Sequence, residues 1–123
     1  MKRILVVEDE KFLANAIHDK LKHEGYEVIH AENGQVGLDM ALSEKPDCIL
    51  LDIVMPVMDG ITMLKQLRLA PGGEKIPVIL LSNLSDSHTA IAAVDNGVTD
   101  YLVKSDWKLA DVIVKIEEAT SDK

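Results

Sequence analysis

The sequence predicts an α/β domain in which a parallel sheet is covered by helices on both faces. Short apolar runs mark Ile4 to Val7, Cys48 to Leu51 and Ile76 to Leu81; the first two are too continuous for half-buried antiparallel strands and fit strands buried on both faces, a buried helix segment being the alternative that periodicity alone leaves open. Segments of helical periodicity separate the runs, and the connections between them are short. Two of the runs end at carboxylates: Glu8-Asp9-Glu10 follows the first, and Asp52 closes the central one.

Taken in order, Ile4 to Val7 forms the first strand. From Lys11 to about His23, Leu13, Ile17 and Leu21 recur every four residues with Phe12 and Ala16 beside them, which predicts an amphipathic helix ended by Gly25. Glu27-Val28-Ile29-His30-Ala31 carries more polar positions and reads as a second strand nearer an edge. Asn33-Gly34 makes a turn or cap before a short helix marked by Val36, Leu38, Met40, Ala41 and Leu42, which Pro46 stops. After the central strand, Pro56 and Gly60 interrupt regular structure, and Asp59 reads as a turn residue rather than a ligand. Ile61, Met63, Leu64 and Leu67 predict a third helix to about Leu69, followed by an exposed loop, Ala70 to Lys75.

Ile76 to Leu81 is the fourth strand, with Pro77 tolerated at its start and Ser82-Asn83 at its end. Ser85 or Asp86 caps a fourth helix carrying Ala90, Ile91 and Val94 and stopped by Gly97. Asp100 to Val103 is a fifth strand, ending in Lys104-Ser105-Asp106. Ser105 or Asp106 caps the last helix, whose inward stripe is Leu109, Val112, Ile113 and Ile116, and Glu118 to Lys123 reads as a fraying tail.

Strict alternation of five strands and five helices leaves a flavodoxin-like (βα)5 sandwich, with strand order 2-1-3-4-5, as the natural assignment. Strands one and three then lie side by side at a topological switch point, where open parallel sheets bind their ligands. The residues just past those strands are Glu8, Asp9 and Asp52. Asp9 has a simpler alternative as a helix cap, and Asp52 as a cap of its own strand or turn.

Composition narrows the function. A length of 123 residues suits a single domain spanning 1–123. The 21 acidic against 13 basic residues give a net charge of −8, a surface unwelcoming to nucleic acid. Cys48 is the one cysteine, so no disulfide framework or thiol cluster is available, and its apolar surroundings make it a small core residue. The apolar run behind Lys2-Arg3 is too short for a signal peptide or a membrane span, which points to a cytoplasmic domain. His18, His23, His30 and His88 lack metal-ligand spacing and are assigned no chemistry.

Three carboxylates at adjacent strand ends call for a neutralising cation, and an all-oxygen donor set suits Mg²⁺. Strand four adds the hydroxyl of Ser82 and strand five the ammonium of Lys104. Together these are the parts of a phosphoryl-transfer centre, where positioning and charge neutralisation do most of the catalysis.

Glu8-Asp9 after the first strand, Asp52 followed by Met55-Pro56-Val57-Met58-Asp59-Gly60, Ser82 after Val78 to Leu81, and Asp100-Tyr101-Leu102-Val103-Lys104 occur in one order over essentially the whole chain. In this the sequence resembles the receiver domains of bacterial two-component response regulators. The resemblance implies that Asp52 is the phosphoacceptor for a sensor histidine kinase or phosphotransfer protein. It implies Mg²⁺ held by Asp9, Asp52 and the Val54 carbonyl, with Glu8 acting through water. Lys104 would pair with phosphoryl oxygens, Ser82 would hydrogen-bond the phosphoryl group, and Tyr101 would follow it from an exposed to a buried rotamer. The output would be a shifted surface of the fourth helix, fifth strand and fifth helix, read by a downstream protein or domain. Such a domain catalyses only its own phosphorylation and slow self-dephosphorylation, and works as a monomer or a phosphorylation-dependent dimer.

Two departures from the family pattern stand out. Ser105 occupies the place of a common cis proline; a cis bond before serine costs about 2.5–4 kcal/mol, and we expect the fold to hold it nonetheless. Val54 and Leu84 flank the path of hydrolytic water, which predicts slow dephosphorylation. Rival readings fare worse. A flavin or nucleotide module lacks a phosphate cradle after strand one; an aspartyl-intermediate phosphatase lacks an acid–base carboxylate at Val54; a pseudo-receiver would not need the full set of Glu8, Asp9, Asp52, Ser82 and Lys104. A stand-alone receiver and the first domain of a longer regulator fit the sequence equally.

Overall fold

The computed structural model describes residues 2–53, 55, 57–82, 95, 97–103 and 108–121, with Ser82 and Val103 described through their backbone. The elements are β1 (Arg3–Val7), α1 (Lys11–His23), β2 (Glu27–Ala31), α2 (Gly34–Glu44), β3 (Cys48–Asp52), α3 (Gly60–Leu69), β4 (Val78–Ser82), β5 (Asp100–Val103) and α4 (Leu109–Thr120). The helix expected between β4 and β5 and the Lys104-Ser105 bond lie outside the described residues, as do the side chains of Val54, Leu84 and Lys104. No described helix is long and apolar enough to cross a membrane.

All strand pairs are parallel, in the order β2-β1-β3-β4-β5. The flavodoxin-like expectation holds. Because side chains alternate along a strand, each apolar run feeds two cores. Leu5, Val7, Ile49, Leu51, Val78 and Leu80 pack with Leu38, Met63, Leu64 and Leu67 under α2 and α3. Ile4, Val6, Cys48, Leu50, Ile79 and Leu81 pack with Ile17, Leu21, Val112, Ile113 and Ile116 under α1 and α4. This two-sided burial is why β1 and β3 read as continuous apolar runs, while edge strand β2 keeps Glu27 and His30 exposed.

Local chemistry fixes the helix ends. At the end of α1 the Tyr26 N–H bonds the Leu21 carbonyl (3.0 Å) and the Gly25 N–H that of Lys22 (3.1 Å), with Gly25 at φ +92°. This is a Schellman stop, which glycine adopts without a Cβ penalty. Asn33 caps α2 by accepting from the Val36 N–H (2.9 Å), and Asp59 caps α3 by accepting from the Thr62 N–H (2.8 Å). The turn reading of Asp59 is thereby refined to a helix cap.

Several sequence expectations are corrected. The buried face of α1 is Ala14, Ile17 and Leu21, while Phe12 is 89% exposed and Ala16 is exposed too. β4 begins at Val78 rather than Ile76; Ile76 is buried just before it. In the loop after α3, Gly73 is buried against Leu67, where a Cβ would meet the Leu67 carbonyl oxygen. The last helix starts at Leu109, with Lys108 and not Ser105 or Asp106 as its N-cap. The Asp111 carboxylate reaches back to the Lys108 N–H (2.8 Å). Glu118 to Thr120 are helical rather than frayed, tied down by the Lys2 ammonium, which donates to the Thr120 carbonyl (2.9 Å).

Candidate functional site

The ladder between β1 and β3 pairs Val7 with Leu51, so the next residues in each chain, Glu8 and Asp52, fall side by side at the carboxyl end of the sheet. The alternation that turns Val6 and Leu50 toward α1 turns Glu8 and Asp52 the same way. Both are almost fully buried, at 1% and 5% exposure, whereas Asp9 is exposed. One carboxylate oxygen from each of the three lies within 4.8 Å of the others. Asp9 is not the cap of α1: that position is Glu10, whose side chain makes no cap bond.

Each carboxylate has a local anchor or is left to the site. Asp52 accepts from the Ile53 N–H (2.9 Å) and Glu8 from the Glu10 N–H (3.1 Å). The Glu8 main chain is held from β2: its N–H donates to the Ala31 carbonyl (3.0 Å), and its carbonyl oxygen accepts from His30 Nε2 (2.8 Å). Sequence reading gave His30 no role, yet it reaches this corner.

The loop after Asp52 is closely stitched. The Gly60 N–H donates to the Ile53 carbonyl (2.8 Å) and the Gly34 N–H to the Met58 carbonyl (3.1 Å). A Cβ on Gly60 would run into the Asp52 carbonyl oxygen and lie 2.9 Å from Ile53 Cα; one on Gly34 would run into the Met58 carbonyl oxygen. Val57 is left at φ +69° with its side chain 81% exposed. A β-branched residue is rarely left-handed, so the loop stores backbone strain next to Asp52.

The site's donor chemistry fits a hard divalent cation. Were Glu8 and Asp52 both ionised with oxygens no more than 4.8 Å apart, their repulsion would be at least about 3.5 kcal/mol with an effective dielectric near 20. A divalent cation held by these oxygens would offset this and keep room for water or phosphate oxygens. Of the other expected residues, Ser82 ends β4 beside β3 and pairs with Val103, and Tyr101 sits half-buried on β5 against the α2–α3 core. Lys104 and Val54 lie outside the described residues.

A five-stranded parallel α/β domain with a carboxylate cluster at its switch point defines the class, and similarity names it. A family model described as the response regulator receiver domain matches residues 4–117. The chain belongs to that family. It is 39% identical over 104 residues to the response regulator ArlR of Staphylococcus saprophyticus, covering 85% of this chain and 46% of that one. It therefore spans about half the length of the curated relatives it matches. Among solved structures, the receiver domain of Francisella response regulator 1452 superposes with TM-score 0.90 at 30% identity, covering 98% of this chain and 97% of that one. The signal receiver domain of a signal transduction histidine kinase from Syntrophus aciditrophicus gives 0.89 at 30% identity, covering 98% and 90%.

Proposed function

We propose that the domain, acting over residues 1–123, takes a phosphoryl group onto Asp52 from a phosphohistidine on a sensor kinase or phosphotransfer protein in the cytoplasm. The observation that carries this is the juxtaposition of Asp52 with Glu8 and Asp9 within 4.8 Å at the sheet's switch point, in a chain of the receiver family. An Asp52 carboxylate oxygen forms the new O–P bond as the P–N bond breaks, and the histidine nitrogen keeps the electron pair and takes up a proton.

Asp9 and Asp52 would hold Mg²⁺ directly with the Val54 carbonyl, and Glu8 would act through water. When bound, the cation neutralises charge on the phosphoryl oxygens. Lys104 pairs with those oxygens, and Ser82 donates its hydroxyl to them once the phosphoryl group is in place. Tyr101, half-buried beside the α2–α3 core, then settles inward, and the face around β5 and α4 changes its affinity for an output protein or domain. The domain turns over no external substrate beyond its own phosphodonor.

Intact-mass measurement after incubation with Mg²⁺ and acetyl phosphate tests the reading. A gain of one phosphoryl group, dependent on Mg²⁺ and absent in Asp52→Asn, is expected. No adduct on wild type would move the weight to a phosphorylation-independent binding module.

A further inference from the structure

We propose that His30 is a positioning residue for the metal centre: its Nε2–H holds the Glu8–Asp9 peptide plane so that the Asp9 carboxylate is aimed at the cation. This rests on the metal reading of Glu8, Asp9 and Asp52 given above.

Of the three carboxylates, Glu8 and Asp52 are buried and fixed by their surroundings, but Asp9 is exposed and has no core packing to orient it. What orients it is its backbone. The Glu8 carbonyl and the Asp9 N–H share one rigid peptide plane, so fixing that carbonyl fixes the position of the Asp9 Cα and the N–Cα axis about which its side chain is set. β2 grips Glu8 at both ends, through the Ala31 carbonyl on its N–H and His30 Nε2 on its carbonyl oxygen (2.8 Å). A carbonyl oxygen only accepts, so Nε2 carries the proton.

The register explains how an edge-strand side chain gets there. His30 is the Cα partner of Val6 and stands on the same face of the sheet as Val6 and Glu8. Its ring leans along the strand direction and supplies, beyond the end of the β1–β2 ladder, a donor to the Glu8 carbonyl, which joins the two members of the acidic pair. A side chain outside the ligand set thus orients a ligand, as outer-shell partners of metal sites do.

The test is calorimetric titration of the whole chain with MgCl2, on wild type, His30→Ala, His30→Gln and His30→Met, with Asp9→Asn as reference. Gln places an amide N–H near the position of Nε2; Met keeps bulk without a donor and carries the comparison should Ala fail to fold. We expect Ala and Met to weaken Mg²⁺ binding about tenfold, in the range for loss of an outer-shell partner, and Gln to restore most of the affinity. Urea midpoints taken without Mg²⁺ need not follow that order, which separates positioning from a purely structural role. Wild-type affinity in the donor-free variants, or equal weakening in Gln and Met, overturns the proposal while Asp9→Asn still binds poorly. No binding by wild type, or unchanged affinity in Asp9→Asn, overturns the metal reading itself and His30 with it.

Discussion

Gly60→Ala should damage the fold and the chemistry together, because the added methyl would be driven into the strand end that carries Asp52. Its Cβ would strike the Asp52 carbonyl oxygen and stand 2.9 Å from Ile53 Cα and 3.0 Å from the Asp52 carbonyl carbon, all backbone atoms that cannot rotate away. The first turn of α3 must therefore lift off β3, stretching the 2.8 Å bond from the Gly60 N–H to the Ile53 carbonyl. Overpacking costs about 1–3 kcal/mol. Loss of a buried backbone bond adds about 1–3 kcal/mol, and alanine's better helix propensity returns about 0.5–1 kcal/mol. The net is a destabilisation of about 1–5 kcal/mol, centred on about 3 kcal/mol, read as a lowered urea midpoint or a Tm drop of about 10 °C. A displacement of Asp52 by even about 1 Å should slow labelling by acetyl phosphate by about 10–100-fold. Gly72→Ala is the control: φ is +89° there, but a Cβ meets nothing within 4 Å. It should cost about 1–2 kcal/mol of backbone strain and leave the labelling rate unchanged. A Gly60→Ala protein with wild-type midpoint and labelling rate would refute the reasoning, as would equal loss of labelling in Gly72→Ala.

Val57→Asn should raise stability by about 1 kcal/mol, since asparagine tolerates the left-handed φ and little apolar burial is lost; Val57→Thr, still β-branched, should gain nothing in the same denaturation assay. Burial pushes the Cys48 thiol up to about 12 from an ordinary 9.0. Below pH 9 neither the folded nor the unfolded thiol ionises and its contribution is constant. From pH 9 toward 12 only the unfolded chain loses the proton, so wild type should lose up to about 1.4 kcal/mol per pH unit relative to Cys48→Ala, measured by urea midpoints at stepped pH. Polar replacements at Val54 and Leu84 should shorten the aspartyl-phosphate lifetime, followed by decay of the phosphorylated mass after donor removal.

The strands were legible because a strand buried on both faces needs no alternation to decode: β1, β3 and β4 declare themselves as apolar runs, and the carboxylates that end two of them mark the switch point. The face of α1 was harder. Ala14, Ile17 and Leu21 share one side of the helix, but Phe12 lies about 200° around the axis from Ala14 at about 100° per residue, so its apolar character misled. The start of α4 was missed because its cap is not a hydroxyl ahead of the helix but Asp111 reaching back from inside it. His30 was invisible for a different reason: its partner is a main-chain oxygen on another strand, and only the β1–β2 register brings the two together.

That dependence on register reaches further, into the order in which the molecule can assemble. Glu8 and Asp9 meet Asp52 only across the β1–β3 ladder, whose paired residues Ile4 and Cys48 are separated by 44 positions of chain. Closing so long a loop is an entropic burden met only as the sheet forms, so a chain with that ladder open has no place to hold a cation. Binding at the corner therefore favours the closed sheet over every open form, by an amount that grows as RT ln(1 + [L]/Kd). Under the proposed function, magnesium concentration and sheet integrity become one coupled equilibrium, and the charge cluster that strains the bare protein is where a ligand most directly holds β1 and β3 together.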